Sequence, residues 1–418
     1  KEDELLAFWK QNQIFEKSLA QTKSGSKRFS FYDGPPFATG LPHYGHLVPG
    51  ILKDIVPRYW TMRGYYVERR FGWDCHGLPV EFEINKAHKI ESSKDVHKMG
   101  IGNYNALCKS IVTRYTGEWR KTVERVGRWV DMDNAYYTMQ PEFMQSVWWV
   151  FKQLWDKGLI YEDYKVVPYS TGLSTALSNF EAGQNYKDVQ DPAITVAFQI
   201  TTKGWDDTYI LAWTTTPWTL PSNLGLAVGE DIEYVQIKSE KNGKNYILAK
   251  ALLENFADLA KGEVVKEMTG KDLIGLTYAP ILPYFENLQN AFRVIPSGHV
   301  TAESGTGIVH MAPAFGEDDY IACKKAGVPV VNPVDDDGMF TEEVPDFVGR
   351  RVKEADKDII ALIKKNGSLF KQDTLMHSYP FCWRTDTPLI YRAVPTWFVR
   401  VEKIKDQIVA ANKKTNWV

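Results

Sequence analysis

Over the first 160 residues, apolar positions recur at helical and at strand spacing in turn. Leu5, Leu6, Phe8, Trp9 and Ile14 fall at roughly helical spacing with charged residues on the other face, which predicts a docking helix over 2–13. Phe29 to Tyr32 alternate like a short buried strand. Asp33 to Gly40 are rich in breakers, and from Leu47 the spacing turns helical through Ile51, Leu52, Ile55 and Val56 to Pro57. Tyr65 to Val67 predict a second strand, and Gly72 to Glu81 form the next loop at a strand's carboxyl end. Strand, helix and strand in that order suit a doubly wound nucleotide-binding sheet. Asn103 to Val130, with Trp119 and Trp129, and Phe143 to Leu154, with Trp148, Trp149 and Phe151, are amphipathic stretches whose aromatics are expected in the core.

Near Val189 helical periodicity gives way to β-branched alternating runs: 193–201, 208–215, 225–228, 234–237 and 246–248. Turn signals separate them, and the segment predicts a mostly β barrel or sandwich with a few helices. Beyond about Gln372, residues His377 to Arg400 return as an extended crossing followed by a strand. The expected fold class is therefore α/β: a Rossmann-like doubly wound parallel sheet, incomplete, with an inserted, mostly β domain. The expected boundaries are 1–165 for the N-terminal helix and first half of the sheet domain, 166–188 for a connector and 189–374 for the insertion. A return connector over 375–395 and the start of the second half over 396–418 complete them.

A length of 418 residues implies two or three domains, and 44% hydrophobic with 24% charged residues is ordinary for a globular protein. The formal net charge of −2 supplies no global basic field for nucleic acid. Local basic runs, Arg58, Arg63, Arg69 and Arg70, then Arg114, Arg120, Lys121, Arg125 and Arg128, are either solvated faces or a phosphate track. Cys75, Cys108, Cys323 and Cys382 lie far apart, which suggests neither a disulfide framework nor a zinc knuckle and fits a reducing compartment. No run approaches the roughly 18 apolar residues of a membrane span, so a cytoplasmic protein without a membrane partner is expected. Lys1 in place of Met, and an end in mid-pattern at Asn416-Trp417-Val418, suggest a piece of something longer.

Four stretches carry candidate chemistry. His43-Tyr44-Gly45-His46 sets two imidazoles either side of a glycine at the mouth of a helix, as a nucleotide loop or as two surface histidines. Asp74, between Trp73 and a Gly-Leu-Pro turn, can hold an ammonium group or cap the turn. Thr214, Thr215 and Thr216 with Asn223 crowd short donors and acceptors into little space, although a threonine run also ends strands. Asp319, past a Gly-Thr-Gly turn and a short apolar strand, can cap a helix or grip an ammonium.

Asp-Gly-Pro-Pro-Phe-Ala-Thr-Gly ahead of His43 to His46, and Gly72-Trp-Asp-Cys-His-Gly-Leu-Pro-Val-Glu81 after it, resemble the isoleucyl branch of the class I aminoacyl-tRNA synthetases. His-Tyr-Gly-His matches that class's His-Ile-Gly-His signature. Residues 213–223 and 305–319 resemble the editing domain shared by the isoleucyl, valyl and leucyl enzymes. The resemblance implies that His43, Gly45 and His46 serve ATP, bound with Mg2+. It implies that Gly34 and Pro35 line the side-chain pocket and that Asp74 binds the amino group of isoleucine. In the editing domain it implies Asp319 as amino-group anchor, Thr214, Thr215 and Thr216 as pocket lining, and Asn223 and His310 flanking the substrate. The implied partners are isoleucine, ATP, tRNA(Ile) and valine as the edited non-cognate acid. No activated Ser or Cys is apparent, so hydrolysis by a positioned water is expected.

Two departures qualify the match. Relatives carry zinc-binding cysteines near the connectors, whereas Tyr169 to Glu181 contain none, so no protein-bound zinc is expected. The family's Lys-Met-Ser-Lys-Ser loop is absent from these residues, which implies that they alone do not activate an amino acid efficiently. A tRNA-binding editing deacylase without aminoacylation activity, or a valyl or leucyl synthetase, are the alternatives.

Overall fold

The computed structural model describes residues 1–37, 39–90 and 93–417. Ala38, inside the breaker-rich loop, lies outside them, as do Glu91, Ser92 and Val418. The chain divides into two compact units, Lys1–Tyr161 with Val399–Val418, and Glu162–Phe398.

The first unit runs through α1 (Glu2–Gln11), α2 (Ile14–Lys23), α3 (Tyr44–Met62), β1 (Arg70–Trp73), α4 (Leu78–His88), α5 (Ser93–Met99), α6 (Ile101–Arg114), α7 (Thr116–Arg125), β2 (Asp131–Tyr137) and α8 (Pro141–Asp156). The periodicity predicted one helix over 2–13, but Gln13 takes a left-handed φ of 49° and separates two. β1 and β2 pair in parallel, and single parallel bridges, Arg28↔Tyr66 and Phe37↔Asp74, extend the sheet. Phe29–Tyr32 and Tyr65–Val67 therefore touch without forming the ladder expected of them. Pro35 and Pro36 offer no N–H to prolong the pairing. Phe71, Trp73, Val80, Val112, Trp119 and Val123 form the core that ties β1 to α4, α6 and α7. Gly72 is obligatory there, because a Cβ would lie 2.2 Å from the Tyr136 ring, whose hydroxyl donates to the Asp33 carbonyl at 3.2 Å.

One expectation changes. Trp148 and Trp149 are 66% and 64% exposed, not core, and no residue of α8 is buried. Five of the nine basic residues pair with carboxylates of this unit: Arg58 with Asp54, Arg120 with Asp133, Lys121 with Glu118, Arg125 with Glu2 and Arg128 with Asp33.

The second unit contains β3 (Ile160–Ser170), β4 (Thr175–Ala176), α9 (Asn179–Ala182), β5 (Tyr186–Gln199), β6 (Thr208–Thr214), β7 (Gly225–Val228), β8 (Glu233–Lys238) and β9 (Asn245–Ala249). After these come α10 (Ala257–Ala260), β10 (Glu263–Thr269), α11 (Gly270–Leu273), β11 (Arg293–Pro296), β12 (Ile308–Met311), α12 (Glu317–Ala326), α13 (Asp356–Lys365), β13 (Leu369–Pro380) and β14 (Leu389–Val399). A last helix, α14 (Lys405–Asn412), belongs to the first unit. The segments expected as connectors fall within the second unit because β5 and β13 pair antiparallel from Tyr186↔Pro380 inward.

The large sheet is mixed, in the order β10-β8-β9-β6-β12-β7-β11, with β5 on β6 and β13 on β5. Antiparallel bridges Thr277↔Arg293 and Ile200↔Tyr278 connect β11 back to the end of β5. The strands thus curl into a ring rather than stacking as two sheets. Both faces are buried: Ile194, Val196 and Phe198 of β5 enter one core, and Ala197 enters a second with Leu211, Val235, Ile237 and Leu248. Among the described residues no helix is long and apolar enough to cross a membrane.

Candidate functional site

α3 opens in the loop that carries both histidines. His43 is its N-cap, extended at φ −124° and ψ 174°. The His43 Nδ1 accepts from the Gly45 N–H at 3.1 Å, and the His43 N–H donates to the His46 Nδ1 at 3.3 Å. This is a capping box built from two imidazoles. Since each Nδ1 is an acceptor, each neutral ring carries its proton on Nε2. Neither Nε2 bonds to another described residue. The ring centres lie 3.7 Å apart, which gathers two outward N–H donors into one place. Partial burial and then the adjacent His43 hold His46 below the ordinary histidine value. Gly45 is dictated by the cap itself, because a Cβ there would sit 2.9 Å from the His43 Cε1.

His46 also packs on Trp119, at 4.8 Å between ring centres, and the Trp119 indole donates to the Gly40 carbonyl at 2.9 Å. A cavity of about 190 Å³ opens beside them, with Gly34, Gly45, His46, Lys53, Trp119 and Arg128 among its walls. Asp33 anchors this loop by pairing with Arg128 at 2.5 Å and with Lys53, and Lys53 donates to the Gly34 carbonyl at 2.9 Å. The structure therefore brings Gly34, Gly45 and His46 together. Pro35, His43 and Asp74 do not wall that cavity. Asp74 follows β1, its N–H donates to the Pro36 carbonyl at 2.9 Å, and its carboxylate has no partner among the described residues.

In the second unit β12 lies between β6, parallel to it at Val309↔Trp213, and β7, antiparallel at His310↔Leu226. β6 and β12 leave the sheet at the same edge, so the threonine run and the loop after Met311 emerge from neighbouring strand ends. The run continues into a 3-10 turn, Pro217–Ser222. The Thr214 hydroxyl accepts from the Thr216 N–H at 3.1 Å and lies 3.2 Å from the Thr216 hydroxyl. Thr219 donates to the Thr216 carbonyl at 2.9 Å and meets the His310 Nε2 at 2.8 Å. The Asn223 amide donates to the Gly225 carbonyl and the His310 Nδ1, both at 3.0 Å, and its oxygen accepts from Tyr278 at 2.7 Å.

Only one proton arrangement satisfies this chain. Nδ1 accepts from Asn223, so Nε2–H donates to Thr219. Burial alone takes His310 down to about 4, which keeps it neutral. His310 and Asn223 thus brace the threonine loop from within the core, with both ring nitrogens of the histidine already used. Thr214 and Thr215, with Trp213, His299 and the turn from Ser304 to Thr306, line a separate cavity of about 240 Å³. Thr216, Asn223, His310 and Asp319 are not among its walls.

Asp319 stands in the first turn of α12. The Ala312 N–H donates to its Oδ2 at 2.8 Å, and no described side chain donates to it. Gly316 makes room for the carboxylate, since a Cβ there would lie 2.8 Å from the Asp319 Cγ. Burial raises Asp319 to about 7; the Ala312 N–H opposes the rise and Asp318 adds to it. A carboxylate in that condition lacks a cation, and an ammonium group supplies one. Cys323, one helical turn on, is buried and raised to about 12, so it stays a thiol and offers no nucleophile. Among the described residues no cluster of three or more His, Cys, Asp or Glu is placed to hold a metal ion.

Thr219 and Tyr278, which brace the loop, are not among the residues the sequence pattern points to. Thr219 lies in the same hydroxyl-rich run, but Tyr278 is 55 residues from Asn223 and only the fold shows it.

The raised Asp319 makes a stability prediction. Its folded-state value lies above the unfolded 3.8, so the folded protein holds the proton more tightly, and stability is lost as pH rises from about 4 through 7. Asp319→Asn removes that loss. Its melting temperature relative to the parent is expected to rise between pH 4 and pH 7 and to level off above, as it escapes a loss of about 1.4 kcal/mol for each pH unit in that window. A pH-independent difference contradicts this.

The sequence family described as tRNA synthetases class I (I, L, M and V) matches residues 4–418. An isoleucine–tRNA ligase of Bdellovibrio bacteriovorus is 67% identical over all of this chain and 40% of its own length. One of Chlamydia pneumoniae is 52% identical, and the cytoplasmic one of Saccharomyces cerevisiae 53%, with the same coverage. This chain thus spans about 40% of the length of these curated relatives. A solved structure described as GlLeuRS-CP1 aligns with 43% of this chain and 99% of its own at 17% identity, with a TM-score of 0.35, too low to carry an argument.

Proposed function

This chain belongs to the class I tRNA synthetases of the isoleucyl, leucyl, methionyl and valyl group, and from that premise we propose that it is the activating and editing portion of an isoleucine–tRNA ligase. The observation that carries the proposal is the pairing of two chemistries on one chain. Two Nε2–H donors stand at a helix mouth in the first unit, and a cation-less carboxylate stands beside a threonine loop in the second.

In the first site the isoleucine carboxylate attacks the α-phosphorus of ATP, supplied as its Mg2+ complex, and pyrophosphate leaves. A terminal ribose hydroxyl of tRNA(Ile) then takes the acyl group from the adenylate and AMP leaves. His43 and His46 donate to phosphate oxygens as charge builds on them, Gly34 and Pro35 bound the side-chain pocket, and Asp74 holds the ammonium. The free carboxylate of Asp74 supports its part. Its position beside Pro36 and Phe37 ties it to the same loop.

Such a pocket cannot exclude valine sterically, because one missing methylene is worth only about 1–3 kcal/mol, the case for which isoleucyl enzymes are the standard example. We assign the second site to the hydrolysis of valyl-tRNA(Ile). Asp319 binds the ammonium, the threonines bound the side chain, and His310 and Asn223 hold the loop in shape. A water attacks the ester carbonyl, and the ribose hydroxyl leaves with a proton. Four free cysteines fit a reducing compartment, and we assign the cytoplasm.

Isoleucine-dependent ATP–pyrophosphate exchange by the full-length protein is the test. Exchange that prefers valine or leucine by tenfold or more refutes the assignment.

A further inference from the structure

The threonine loop is held from outside as well as from within. Trp218, two residues past Thr216, donates its backbone N–H to the Asp356 Oδ1 at 2.8 Å. Asp356 opens α13, where an acid is unremarkable because it faces the helix dipole. Two observations set it apart. It is only 7% exposed, and its oxygen is spent on a peptide 138 residues away rather than on its own helix. Nor does a direct ion pair among the described residues account for it: Lys353 pairs with Asp191 at 2.9 Å and lies 3.8 Å from the centre of the Tyr379 ring. Burial accordingly raises Asp356 to about 7 although Trp218 and Lys353 draw it down. Such a buried group is retained at a cost to stability.

What it holds leads to both halves of the second site. The Trp218 ring meets Phe315 edge to face, 4.8 Å between centres. Phe315 immediately precedes Gly316, the glycine that admits the Asp319 carboxylate, and its N–H closes the turn on the Ala312 carbonyl at 2.8 Å. Asp356, Trp218 and Phe315 form a strut from α13 to the threonine loop on one side and to the Asp319 turn on the other.

We propose that Asp356 is a positioning residue for the hydrolytic site, fixing through Trp218 the spacing between the threonine loop and Asp319. The proposal rests on the deacylation reading given above. Asp356 touches no substrate, so its loss loosens orientation rather than removing a binding group.

The test is steady-state hydrolysis of valyl-tRNA(Ile) by the full-length protein, with Asp319→Ala as reference and isoleucine-dependent exchange as the check on folding. Asp356→Ala is expected to lower kcat about tenfold or more while KM stays within about twofold, since small misplacements act on orientation. Asp356→Asn keeps an acceptor at the same reach and should restore kcat to within about threefold of the parent. Asp356→Glu keeps the charge but moves the oxygen by a methylene, and should stay impaired. Unchanged kcat in Asp356→Ala, or activity kept by Glu and lost by Asn, overturns the proposal. If the parent protein does not hydrolyse valyl-tRNA(Ile), the deacylation reading itself fails, whatever Asp356 does; if only Asp319→Ala leaves hydrolysis intact, the ammonium is bound elsewhere and the strut to the Asp319 turn loses its purpose.

Discussion

Asp319→Ala is expected to lower the hydrolysis of valyl-tRNA(Ile) by the full-length protein by about 10²-fold or more, the scale of losing a charge-assisted contact that also orients the reacting ester. Isoleucine-dependent ATP–pyrophosphate exchange should be unchanged. The basis is a carboxylate raised to about 7 by burial, with backbone donors only and no cation among the described residues. An arriving ammonium restores the charged form, so part of its binding free energy comes from relieving a condition the empty site already has. Asp319→Asn separates charge from shape. It keeps an oxygen for the Ala312 N–H and so the turn, yet should lose hydrolysis almost as fully as Ala. If Asn keeps near-parental activity, Asp319 only braces the turn at Ala312. If both variants deacylate normally, the ammonium is bound elsewhere.

How much of this was legible beforehand depends on how local each feature is. Strands over 225–228, 234–237 and 246–248 were readable because alternation and turn residues lie within a few positions, and the structure has β7, β8 and β9 there. β10 was missed because Glu263 to Glu267 are all exposed, and its charged residues leave no alternation between a buried and a solvated face. The ring closure through Tyr278 and Arg293 depends on single bridges between distant segments, which no local pattern encodes. The exposed Trp148 and Trp149 show the converse failure: an apolar side chain signals a capacity for burial, and what covers it is decided elsewhere. At the sites, residue types were legible and connections were not. His310 and Asn223 are expected beside a substrate, and what the pattern does not show is that their polar atoms bond to each other, to Thr219 and to Tyr278.

The histidine pair should prove equally decisive for the first reaction. His46→Ala removes one outward Nε2–H and also the acceptor for the His43 N–H; His43→Ala removes the other and uncaps Gly45. Each is expected to lower isoleucine-dependent exchange by about 10²–10³-fold, the range for losing a donor aimed at developing charge. Hydrolysis of valyl-tRNA(Ile) should hold near the parental rate. Gly45→Ala tests the geometry without touching either imidazole. Its Cβ would fall 2.9 Å from the His43 Cε1, so the ring must swing out and the cap must open. If the rings act as a fixed pair, this one methyl group should lower exchange about tenfold or more, because orientation is what it disturbs. His46→Gln, which keeps a donor on a flexible stem, should fall between Ala and the parent. Full exchange activity in Gly45→Ala would mean that the imidazoles work independently of the cap, and the paired-donor account of this loop would have to be abandoned.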